Sequence, residues 1–201
     1  MADVPPLLPQ APFGMNPVSE QKVLASCNVI VEVIVHRSMK PIEVRELFDY
    51  LIETRSRFLE KCREIGWAEF TKNRGATWDS MLAIFLHILD NEEGWWQIAL
   101  KGGSLSETPD RKPGDYANFD QLSQDNSRVG ALTRSRLDNL TEADLTRPVD
   151  FRAQDRLTRS FERIVMHAFV DELAHVGELV CLLWQLDVEP PFIDWLDYRV
   201  S

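Results

Sequence analysis

Two imidazoles and two carboxylates recur along one side of an apolar stretch near the C-terminal end of the chain. The stretch SFERIVMHAFVDELAHVGELVCLLWQL, residues 160 to 186, has helical periodicity. At about 100° per residue, Ile164, His167, Ala168, Asp171, His175, Glu178, Leu179 and Leu182 share one face. A face carrying Ile and Leu is expected to be buried, and an unpaired polar group there costs on the order of several kcal/mol, comparable with the stability of a whole domain. Asp171 and His175 stand four residues apart, so both side chains reach one point above the helix. A divalent metal would satisfy them. So would a hydrogen bond between the two on a partly exposed face, and spacing alone does not separate these readings.

His87, in LHILDNEEGWW, is the other histidine at helical spacing. With Asp171 and His175 it would complete three protein ligands from two helices, the number that leaves positions open for water or substrate at a catalytic metal. Asp90, His167 and Glu178 lie within one or two turns and would orient the ligands or move a proton. Taken singly, His87 and His167 also read as hydrogen-bonded core histidines. Glu172 and His175 spell the ExxH of di-iron bundles, but no second copy accompanies them. His36 reads as a surface residue without a role. Trp95 and Trp96 could line a pocket, although core packing is the better reading.

Four helices must position these groups. The first, about residues 41 to 65, opens with Pro41, buries Leu47, Leu51, Phe58, Leu59, Cys62 and Ile65, and ends at Gly66. The second runs from a Thr77 cap to about Leu100, with Trp78, Met81, Leu82, Phe85, Leu89 and Trp96 on its main apolar face. His87 lies in an opposite row with Ala83, Ile84, Asn91, Gly94 and Ile98, where Ala83 and Gly94 leave room. Asn118 caps the third, about 119 to 139, and the fourth is the stretch above. Residues 102 to 117 and 141 to 157 read as long connections without regular structure. Residues 1 to 38 read as an extended or disordered leader, with five of the eleven prolines in its first 17 positions and a strand-like VIVEVIV at Val29 to Val35. Residues 39 to 201 then make one all-α domain, a four-helix bundle with long crossover loops.

Charge and composition narrow the partners. A net charge of −10 with no basic run argues against nucleic acid and anionic membrane surfaces. No stretch is long and apolar enough for a membrane span. Three widely spaced cysteines without a CxxC suit a reducing cytoplasm, with Cys62 and Cys181 read as small core residues.

The order of these elements, with LHILDNEEGWW on the second helix and HAFVDELAHVGEL on the last, resembles the DinB-like metal-binding proteins over about residues 41 to 190. That group includes the YfiT type, metal-dependent thiol transferases and mycothiol-dependent maleylpyruvate isomerases. The resemblance places metal ligands at His87, Asp171 and His175. HVGE at His175 to Glu178 stands where members commonly have His-Arg-Gly-Gln, so Val176 replaces an arginine. Asp171 stands where many members have histidine and mycothiol users have a carboxylate. The resemblance implies zinc or nickel, with iron or manganese admitted by the oxygen ligand. It also implies a cytoplasmic homodimer that activates a small-molecule thiol, or water, against an electrophilic substrate, with Glu178 or Asp90 assisting. The rival expectation is a non-catalytic dimeric bundle acting through partners, its polar row a hydrogen-bonded network or structural metal site.

Overall fold

The computed structural model describes residues 38–75, 78–152, 156–195 and 198. The expectations for the leader, its strand and His36, and for the Thr77 cap, lie outside the described residues.

Helix α1 (Pro41–Ile65) starts where Pro41 occupies a position that needs no backbone donor, and stops at Gly66, whose φ of 81° suits a residue without a Cβ. A single turn, α2 (Trp67–Thr71), follows. Helix α3 (Met81–Lys101) begins after Ser80, whose hydroxyl accepts from the Ala83 N–H at 3.1 Å. Helix α4 (Phe119–Asp138) is capped by Asn118, which accepts from the Asp120 and Gln121 amides. After a short α5 (Glu142–Thr146), helix α6 (Phe161–Trp184) starts at Ser160. Helices α1 and α3 each pack against both α4 and α6, which closes the four-helix ring. Helix α3 is buried almost all round, as its two apolar faces require: α6, α4 and the crossover segment cover it, with no second subunit needed.

The connections are more structured than expected. The second connection contains α5 and a hairpin pair, β2 (Pro148–Arg152) antiparallel to β3 (Arg156–Ser160), and β1 (Gly103–Ser104) adds to β2 in parallel. The period is short: Val149 and Phe151 point inward and Asp150 outward. Such strands persist because they lie against α3 and α6. The crossover segment is anchored at Gly94, where a Cβ would stand 2.8 Å from the side chain of Thr108, so only glycine lets the chain approach α3 this closely.

Two apolar clusters fill the bundle, one around Phe58, Phe85 and Leu179, the other around Phe48, Trp96 and Val165. Between them along α1, α3 and α6 lies a buried polar layer. Arg55, 1% exposed, donates through Nη1 to Glu92 at 2.5 Å and to both oxygens of Glu172 at 3.1 Å. Its Nε donates to Asn126, and Thr133 donates to Glu92. One guanidinium faces two carboxylates here, and burial in particular pushes the Glu172 carboxyl above its usual range.

Two side chains depart from expectation. Trp78 lies outside α3 and is 40% exposed. Cys181 is exposed, because α6 carries apolar side chains on more than its packed face; Val170, Leu173 and Trp184 are exposed there too.

Candidate metal centre

The site lies where α3 meets α6, the most extensive helix contact in the fold. Helix α3 supplies His87 and, one turn on, Asn91; α6 supplies Asp171, His175 and Glu178 at spacings of four and three. His87 Nε2 and His175 Nε2 stand 3.5 and 3.6 Å from Asp171 Oδ2, and one donor atom from each of the three residues lies within 4.8 Å of the others. Ligands about 2.0–2.1 Å from a tetrahedral zinc are roughly 3.4 Å apart, so this donor set fits a divalent cation in spacing and chemistry. The His-Asp-His group is one that could hold a metal ion.

The surroundings prepare the donors. His175 Nδ1 lies 2.8 Å from Glu178 Oε2, and the N–H donating there leaves the Nε2 lone pair facing Asp171. Asn91 Nδ2 donates to His87 Nε2 at 2.8 Å and also to Asp171 Oδ2, so His87 carries its proton on Nδ1. The side chain of His87 beside it, with His175, holds the Asp171 carboxyl below the usual carboxylate range, against the opposing effect of burial. The indole of Trp78 stacks on His87 with centroids 4.0 Å apart and planes 23° apart, and His175 meets the same imidazole edge-on at 4.7 Å. A cavity of about 620 Å³ opens beside His87, walled by Trp78, Ala83, Asn91, Thr108 and Arg111.

The other two candidates are placed differently. Asp90 lines the same cavity, but Arg111 occupies both its oxygens, through the backbone N–H at 2.9 Å and Nη1 at 2.5 Å. His167 is exposed and packs edge-on against Trp95 at 4.7 Å, one turn before Asp171. Sequence reasoning missed Asn91 and the stacking role of Trp78. Asn91 stood in the same row as His87, and a lone amide four residues from a candidate ligand was the available signal.

A family model described as the DinB family matches residues 37–201. The chain belongs to the DinB family. Its likeness to the DinB-like proteins, read from the two helical motifs, is therefore borne out. A crystal structure of a DinB-like protein, YjoA from Bacillus subtilis, superposes with a TM-score of 0.56 at 18% identity, covering 74% of this chain and 97% of that one. At that identity the match shows a shared DinB fold. No curated protein matches the chain significantly. No helix among the described residues of this DinB protein is long and apolar enough to cross a membrane.

Proposed function

We propose that this DinB protein is a metal-dependent enzyme that activates a low-molecular-weight thiol, or water, for attack on a small electrophile. The observation that carries the reading is the convergence of His87, Asp171 and His175, of which His87 lines the cavity beside Trp78. A divalent cation held there supplies Lewis acidity, lowering the pKa of a thiol or water toward neutrality. Zinc and nickel suit the imidazoles; the carboxylate also admits iron or manganese. Glu178 accepts from Nδ1 of His175 and is placed to relay a proton. Trp78 shields one face of His87 from water and offers an aromatic wall to a substrate. Asn91 tethers a ligand on each helix and carries an amide oxygen as well as the nitrogen it now uses.

Elemental analysis of protein purified without an affinity tag tests the centre: about one divalent metal per chain is expected, lost in His175→Ala and Asp171→Ala. Metal-loaded protein is then screened with small thiols against small electrophiles. Thiol consumption that vanishes in both variants supports the activity.

One observation favours a second reading. The amide of Asn91 already satisfies His87 and Asp171, and Glu178 satisfies His175, so the row is complete as a hydrogen-bonded network. On that reading the protein takes up no zinc, nickel or manganese on reconstitution, and the row serves association or stability alone.

A further inference from the structure

A second cavity, of about 450 Å³, lies beside the hairpin and the first turns of α6, and no group of the metal centre lines it. Its floor is apolar. Trp95 and Phe151 meet at 5.3 Å with planes 60° apart, and Val170, 60% exposed, extends the floor toward solvent. Its rim is cationic: Arg159 at the end of β3 and Arg163 in the first turn of α6 both line it, with His167 beside Trp95.

Most described arginines of this acidic chain, whose net charge is −10, pair with a carboxylate; these two, with Arg136 and Arg147, are exceptions. Arg45, Arg57, Arg63, Arg111, Arg128 and Arg134 each meet a carboxylate. The Arg159 guanidinium donates only to the carbonyl of its neighbour Thr158, at 3.0 Å, and that of Arg163 has no partner among the described residues. Among the described residues the lining has no carboxylate to hold a cation and no hydroxyl or carboxamide side chain to read a sugar or nucleoside. What remains is an apolar floor under two forked donors that match a carboxylate.

We propose that this pocket binds a small amphipathic carboxylate, its aromatic or branched body on Trp95, Phe151 and Val170 and its carboxylate between Arg159 and Arg163. The site does not depend on the metal centre, although both lie along the α3–α6 contact: Trp95 is one turn beyond Asn91, and His167 one turn before Asp171.

The test uses the full chain, with 4-phenylbutanoate as probe and 4-phenylbutanamide as its neutral control. Affinity is measured by calorimetry and location by the tryptophan indole resonances. Saturable binding of the acid is expected, with the Trp95 indole signal shifted and the amide at least tenfold weaker. The double variant R159Q/R163Q changes only exposed side chains and should weaken the acid at least tenfold. Val170→Glu, which places a carboxylate at the pocket mouth, should do the same. Chelator-treated and zinc-supplemented protein should bind the acid equally. Binding that leaves the Trp95 resonance unmoved, an amide as good as the acid, undiminished affinity in R159Q/R163Q, or binding that appears only with zinc would each overturn the site. Apart from the zinc comparison, these results do not bear on whether His87, Asp171 and His175 take up metal.

Discussion

Asn91 shows how much one amide decides. It donates to His87 on its own helix and to Asp171 across the groove, so α3 and α6 are joined at the centre by a neutral group. Asn91→Asp sets two carboxylates against each other and is expected to lower stability by on the order of 1–3 kcal/mol in chelator. The same substitution adds an oxygen ligand, so zinc should raise its melting temperature more than that of the wild type; thermal melts with and without metal read both effects. Cysteine reactivity is a second residue-level expectation. Burial pushes the Cys62 thiol up to about 12, whereas Cys181 is exposed. Maleimide labelling of native protein, mapped by peptide mass spectrometry, should modify Cys181 and spare Cys62 until the chain is unfolded. Asp171 and His175 were legible as neighbours from their spacing of four, whereas the joining of His87 to them came from the family resemblance, because periodicity does not say which helices face each other. The roles of Arg55, Glu92 and Glu172 were not: each stands among other charges in the sequence, Arg55 between Glu53 and Arg57, Glu92 beside Glu93 and Glu172 beside Asp171, and only pairing across 37 and 117 residues of chain singles it out.

At the scale of elements, the buried layer and the crossover loop make separate claims. Arg55→Met leaves two carboxylates facing each other without a cation and should cost about 3–5 kcal/mol in denaturant unfolding. Glu172→Gln removes the surplus negative charge while keeping the side chain's shape, and should cost far less. The crossover loop is held by Arg111, which reaches Asp90 and Glu93 on α3 and Asp125 on α4, with Tyr116 also donating to Asp125. Burial opposes ionisation of Asp125, but Arg111, Tyr116 and Arg128 outweigh it and hold the carboxyl at about 2. A carboxyl depressed below its ordinary value of about 3.9 stabilises the fold fully above that value, and the contribution fades as pH falls toward 2. Asp125→Asn should therefore cost about 1–2 kcal/mol at neutral pH, with the difference from wild type shrinking between about pH 4 and pH 2. The helices could be read because their caps and stripes are local. The hairpin could not: its inward positions are few, and the surfaces that stabilise it belong to α3 and α6.

For the whole molecule, the proposed centre ties the two helices with the largest mutual contact in the fold. Metal at a hundred times its Kd would add about 2.7 kcal/mol to the folded state. In a domain of this size that is a rise of roughly 5–10 °C in Tm, absent in His87→Ala. The bundle class was visible from four periodic stretches, whereas the division of its core into two apolar halves was not, since no single helix reveals it. That division fixes the register of the bundle. Sliding α1, α3 or α6 by one turn would carry a charge out of the layer and into Phe, Leu or Trp, so the layer admits one alignment of three helices. The same condition acts on descent: position 55 is free to lose its charge only where 92 and 172 change with it, while the solvent-facing letters around them diverge one at a time.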